Sequence, residues 1–215
     1  MKKFAVILSG CGVYDGTEIH EATMSMLAID QSGAQYELFA PDINQVHVIN
    51  HVSGEEMTET RNVLVESARI ARGKIKNLKE FKSSDYDALL LPGGFGAAKN
   101  LSNYAFKGAD IEVNKEVADA IIAMHKDSKP IGALCIAPVL LSSVIKGSVV
   151  TIGNDISTSE HVLQMGSEHK NTQATEIVID EKNKIVTSPC YMLGTKISEI
   201  YTGAVKVVDA LLKLM

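Results

Sequence analysis

The chain has no tryptophan, few aromatics (5%), five prolines and only three cysteines among 215 residues. The lack of tryptophan and the scarcity of aromatics exclude a sugar-binding aromatic surface and leave an aliphatic core as the source of stability. Cys11, Cys135 and Cys190 are odd in number and include no CxxC pair, so neither a disulfide framework nor a zinc site is encoded. A cationic excess is missing too: Lys+Arg 21 against Asp+Glu 26 gives a net charge of −5, which excludes the broad basic footprint of sequence-independent nucleic-acid binding. There is also no long apolar run. Only Phe4 to Leu8 separate Met1-Lys2-Lys3 from Ser9-Gly10-Cys11-Gly12, too few for a secretory signal or a membrane span. Together these absences predict a cytoplasmic protein in a reducing compartment, with neither a membrane nor a nucleic-acid partner.

What is present is 46% hydrophobic residues, and a chain of this length buries about 70% of its unfolded surface, enough for a core without staples. One domain spanning residues 1–215 is expected. Short apolar runs alternate with stretches of helical period, which predicts a mostly parallel sheet with helices on both faces. Lys3 to Ser9 reads as a buried strand. Asp15-Gly16-Thr17-Glu18 has the spacing of a capping box, and Ile19, Ala22, Met26 and Ile29 predict the core face of a helix running from about Thr17 to Gln31. Tyr36 to Ala40, Ala88 to Leu91, Pro130 to Leu134 and Val149 to Ile152 read as further strands, with helices at 113–125, after Pro138 and at 157–165. Residues 42–84, with a short exposed strand at Val46 to Val52 and a helix from about Asn62 to Arg72, read as an insertion. Ile177 to Ile179 and Ile185 to Thr187 read as a strand pair before a closing helix.

Ligands of open parallel sheets bind at the carboxyl ends of the strands, so the loops after Leu8, Leu91 and Leu134 are the places to look. In Ala133-Leu134-Cys135-Ile136-Ala137 a cysteine stands at a strand-to-helix junction with small residues two positions to either side. A nucleophile elbow has that steric requirement, and the following helix N-terminus is expected to favour thiolate. The competing reading is a buried cysteine acting as a small hydrophobe. Pro92-Gly93-Gly94-Phe95-Gly96 lacks the residues of a P-loop and the spacing of a dinucleotide fingerprint; it suits an oxyanion hole in which the N–H groups of Gly94 and Ile136 flank developing charge. Glu18 reads on its own as a helix cap. His169, in the loop after Gly166, could approach the site. Cys11 shares the sheet edge with Cys135 and is expected to pack, as is Cys190. His47 and His51, about 13 Å apart on a strand, cannot share a metal.

Ser9 to Glu18, Leu91 to Asn100, Ala133 to Pro138 and Gly153-Asn154-Asp155 together resemble the ElbB family, the isoprenoid-biosynthesis-associated glyoxalase branch of the PfpI-type, class I glutamine-amidotransferase-like superfamily. The resemblance runs essentially end to end. It implies a flavodoxin-like three-layer α/β sandwich and a nucleophilic cysteine at Cys135. It implies that Glu18 reaches the thiol from the first helix, and that the chain turns over small dicarbonyls without cofactor, commonly as a homodimer. The sequence departs from the wider superfamily in two places, with Ile136 where proteases carry a histidine directly after the nucleophile, and Gly153 where many members carry another. A Cys-His-Asp/Glu triad is therefore not evident, which argues against proteolysis and glutamine hydrolysis and leaves His169 as the substitute. The expected function is a glutathione-independent glyoxalase of lactate-dehydratase type that needs neither metal nor nicotinamide. The alternatives are a redox or stress-response protein acting through Cys135, or an accessory subunit keeping the amidotransferase fold without hydrolytic power.

Overall fold

The computed structural model describes residues 1–193 and 196–215. Its strands are β1 (Lys3–Ile7), β2 (Gln35–Ala40), β3 (Ile75–Asn77), β4 (Ala88–Leu91), β5 (Ile131–Leu134), β6 (Val149–Val150), β7 (Glu168–His169), β8 (Val178–Asp180) and β9 (Ile185–Ser188). Seven of them form one sheet in the order β3-β2-β1-β4-β5-β9-β8, and β6 pairs with β7 apart from it. All pairings in the large sheet are parallel except β8 with β9. The helices are α1 (Ile19–Gln31), α2 (Val63–Ile70), α3 (Phe95–Lys99), α4 (Tyr104–Lys107), α5 (Lys115–Lys126), α6 (Pro138–Val144), α7 (Ile156–Gln164) and α8 (Ile197–Leu214).

The period of the strands builds the two cores. Ala5, Ile7, Leu89 and Leu91 face one side, where they pack with Ala97 of α3, Ile121 of α5 and Leu140 of α6. Phe4, Val6, Leu8, Ala88 and Leu90 face the other, against Ala22 and Ile29 of α1 and Val207 and Leu211 of α8. Consecutive strand residues point to opposite faces, and here both faces are dry, so the strands read as continuous apolar runs. The result is a flavodoxin-like three-layer α/β sandwich, with the helices on both faces that the alternation of elements predicts and the flavodoxin-like form that the resemblance implies. Emptying one fully buried position, as in Leu90→Ala, costs about 2–5 kcal/mol.

Three expectations are corrected. Residues 46–52 form no strand; that segment is held by an isolated bridge between Ile49 and Glu56, and its backbone is satisfied locally and by the β1–α1 loop. The Asp15 to Glu18 capping box is absent, because the Asp15 carboxylate accepts the Ile49 N–H at 2.7 Å and so ties the 42–62 segment down. Glu18 itself is the N-cap of α1. Finally, the buried face of α1 is turned by about one residue from the apolar stripe: Glu21, Ala22, Ser25, Ala28 and Ile29 are buried while Ile19 is 42% exposed. A glutamate therefore occupies the inward face of the helix.

Candidate active site

Cys135 follows β5 directly, with φ of 58°, the left-handed conformation that a nucleophile elbow imposes on a non-glycine residue. Its N–H donates to the Ser188 carbonyl at 2.9 Å, which ties the turn to β9. Ala133 and Ala137, the small flanking residues, are fully buried. Cys135 is 8% exposed, and its thiol lies under the glycine loop after β4.

The carboxyl that meets this thiol belongs to Glu21. Its side chain adjoins the Cys135 thiol, with Oε2 and Sγ 2.8 and 3.0 Å from the point where a Cβ on Gly93 would stand; Oε2 accepts the Gly93 N–H at 2.9 Å, and Oε1 accepts the Tyr191 N–H at 3.2 Å. Three segments far apart in sequence thus converge on one side chain. Glu18 does not take the place expected of it. Its Oε2 caps α1 by accepting the Glu21 N–H at 2.7 Å, which fixes the helical turn that aims Glu21 inward. The physical reason is the helical rotation described above: position 18 lies at the helix start, whereas position 21 lies on the face that packs over β4 and β5. A signal for Glu21 was present, since Glu21, Ser25 and Ala28 follow helical spacing on one face.

Burial dominates the electrostatics. It pushes the Glu21 carboxyl up to about 8, assisted by the negative charge of Glu18 and opposed by the two backbone N–H donors. Burial also pushes the Cys135 thiol well up, with the Glu21 charge acting in the same sense, while N–H groups of Gly94 and Ile136 directed at sulfur pull it down. These are the two amides expected to form an oxyanion hole, and they face the nucleophile itself. The thiolate stabilisation expected from a helix N-terminus is largely spent elsewhere. Pro138 has no N–H, and those of Ala137, Val139 and Leu140 donate to local carbonyls at 2.9, 3.2 and 3.0 Å. At neutral pH the pair therefore rests mostly protonated, a buried acid beside a buried thiol, and one shared negative charge forms as pH rises.

Glycine is required at position 93 by space. A Cβ there would stand 2.5 Å from the Cys135 Cβ and 2.8 Å from Glu21 Oε2. At Gly94 the backbone supplies a second reason, with φ of 93° as it turns into α3. We expect Gly93→Ala to separate thiol and carboxyl, lowering stability by about 1–3 kcal/mol and abolishing selective alkylation of Cys135. Urea unfolding and mass spectrometry of the alkylated protein check both.

The remaining candidates lie apart. His169 sits in β7 with Nε2 accepting the Ile152 N–H at 3.2 Å, and burial holds its pKa below the ordinary range. That nitrogen is committed to backbone, so His169 does not supply a base to Cys135. Cys11 is half-buried beside Asp15, Arg61, Glu66 and Arg69, and burial raises its thiol pKa. Cys190, buried and with φ of 41°, lies behind the site, where Glu21 raises its pKa and it raises that of Cys135. Among the described residues, no three of His, Cys, Asp and Glu are grouped to hold a metal ion. His51 stacks on Tyr14, and His47 meets Phe106 edge-on.

Comparison with known proteins places this geometry in context. The DJ-1/PfpI family model matches residues 13–192. The chain is similar to the rat protein named "ES1 protein homolog, mitochondrial", with 48% identity over 99% of this chain and 84% of that protein. It is similar also to the human "Glutamine amidotransferase-like class 1 domain-containing protein 3, mitochondrial", at 45% identity over 99% of this chain and 83% of the relative. Among solved structures, an isoprenoid biosynthesis protein with amidotransferase-like domain from Ehrlichia chaffeensis superposes with a TM-score of 0.94 at 34% identity, covering 100% of this chain and 99% of the other. Glyoxalase III from Candida albicans shares the fold, with a TM-score of 0.66 at 15% identity over 100% and 97% of the two chains. The cytoplasmic expectation is overturned, because the curated relatives are named mitochondrial proteins. It rested on missing signals, and a lack of signal in these residues does not fix a compartment.

Proposed function

Because the chain belongs to the DJ-1/PfpI family, we propose that it is a cofactor-independent glyoxalase in which Cys135 and Glu21 convert small dicarbonyls such as glyoxal and methylglyoxal to 2-hydroxy acids. The observation that carries this reading is a buried carboxyl set beside a thiol held at an elbow. A carboxyl whose pKa is raised to about 8 serves as both acid and base near neutral pH, the property that a proton shuttle between two adjacent carbons needs. That this fold accommodates a glyoxalase is supported by the Candida albicans enzyme.

In the proposed cycle the ionised fraction of Glu21 takes the thiol proton as sulfur bonds to the aldehyde carbon. Glu21 then returns that proton to the new alkoxide oxygen, giving a hemithioacetal and leaving the carboxylate free. The carboxylate next removes the proton from the former aldehyde carbon and delivers it to the neighbouring carbon through an enediol, leaving a thioester of the 2-hydroxy acid. Water cleaves the thioester, releasing the acid and restoring the thiol. The Gly94 and Ile136 N–H groups stabilise charge first on sulfur and then on the oxygen formed beside it.

The test is incubation of purified protein with methylglyoxal, with lactate followed by NMR in the presence of a metal chelator and without glutathione. Lactate formed at a rate proportional to enzyme supports the reading, and none above buffer overturns it. Cys11→Ser and Cys190→Ser are expected to keep most of that activity, since neither thiol stands at β5 against the carboxyl. Loss with either variant as complete as with Cys135→Ser would reassign the nucleophile.

A further inference from the structure

Three residues at the mouth of the site have no part in the cycle above. His20 is the second residue of α1, and its Nδ1 lies 2.9 Å from the Tyr191 hydroxyl and 3.9 Å from Glu18 Oε1. Its side chain is 50% exposed, whereas that of Glu18 is 9% exposed. Tyr191 therefore has two attachments, with its backbone N–H on the Glu21 carboxyl and its hydroxyl on the His20 ring. Glu18 likewise touches both neighbours, capping the Glu21 N–H with one oxygen and facing His20 with the other.

We propose that His20 is a positioning residue of this site: anchored by the Tyr191 hydroxyl and facing Glu18, it controls from the solvent side how readily the Cys135–Glu21 pair gives up its proton. Neutral imidazole can accept from the tyrosine O–H at Nδ1, but imidazolium can only donate, so a proton on His20 turns Nδ1–H toward Tyr191 and Glu18. The positive ring then offsets the Glu18 carboxylate. Glu18 raises the proton affinity of Glu21, so offsetting it favours the shared anion of the thiol–carboxyl pair. The groups that act on this cluster are Glu18 and His20 from the start of α1, Glu21 from its inward face, Cys135 from the elbow, and Cys190 and Tyr191 from the turn after β9. Of these, His20 is a half-exposed base that water reaches directly.

The inference deepens the proposed function, but it is read by a measurement that needs no substrate. The rate of Cys135 alkylation by iodoacetamide is followed from pH 5 to 9 in wild type, His20→Gln, His20→Asn, Glu18→Gln and the His20→Gln/Glu18→Gln double variant, with methylglyoxal turnover measured in parallel. Both His20 variants are expected to slow alkylation roughly threefold on the acid side of the profile, below about pH 6.5 where an imidazole is charged, because Glu18 is then uncompensated, and to match wild type above pH 8. Glu18→Gln, whose amide oxygen still caps α1, is expected to move the alkylation midpoint lower, and adding His20→Gln to it should change nothing further. Superimposable profiles for wild type and the His20 variants overturn the proposal, as does a His20→Gln slowing that persists undiminished without Glu18. If alkylation changes as expected while wild type forms no lactate, the glyoxalase reading fails and the role of His20 stands.

Discussion

Cys135→Ser is expected to lower methylglyoxal turnover by about 10³-fold or more, because a serine hydroxyl in the same place is a far weaker nucleophile without a strong base. The fold should persist. The serine Oγ is close in size to sulfur and keeps the left-handed backbone that the elbow already imposes, with φ of 58°. The cost is that of a buried hydroxyl, about 1 kcal/mol, which for a chain of this size moves Tm by about 2–4 °C. Activity and calorimetry on one sample separate the two effects. Retention of a tenth of the wild-type rate would remove Cys135 from the mechanism.

Glu21→Gln is expected to be equally damaging to turnover, by about 10² to 10⁴-fold, since an amide cannot carry the proton between carbons. Its second signature lies in stability. The Glu21 carboxyl titrates near its ordinary 4.5 in the unfolded chain and at about 8 in the folded one. Between those values the folded state holds the extra proton, so stability falls as pH rises through that window, by an amount on the order of a few kcal/mol. Below the unfolded value both states are protonated and the loss vanishes. Glu21→Gln should therefore flatten the pH dependence of urea unfolding between pH 5 and 8. The absolute stability need not rise, because the amide can accept only one of the two N–H bonds that Gly93 and Tyr191 give the carboxyl. A slope unchanged from wild type would show that the buried carboxyl is not Glu21. By contrast Glu18→Gln preserves a cap oxygen and should cost little turnover.

The layers of the fold and the place of the nucleophile were legible in the sequence for local reasons. Apolar runs such as Ala88 to Leu91 cannot be solvated on either face, so helices must cover both. The alanines around Cys135 announce a tight turn whatever surrounds it. The weak β6, with only Val149–Val150, and the absent strand at 46–52 were less legible, since short exposed alternation is satisfied as well by turns and isolated bridges. In the latter case Asp15 decided the outcome from outside the segment.

The residues alone determined that a thiol stands after a buried strand, at the sheet edge that also carries a glycine loop. Which glutamate reaches the thiol was decided only in three dimensions. The family resemblance points to Glu18, whereas local rules make Glu18 a cap, because capping is an interaction of near neighbours, and Glu18 does cap. Glu21 earns its place from the Gly93 N–H, 72 residues away, and the Tyr191 N–H, 170 residues away, which together make burial of a carboxyl tolerable. The same long-range packing raises its proton affinity and that of Cys135. Spacing along a chain specifies which side chains share a face, but the depth of burial and the donors waiting there depend on strands and loops that only the assembled sheet brings together.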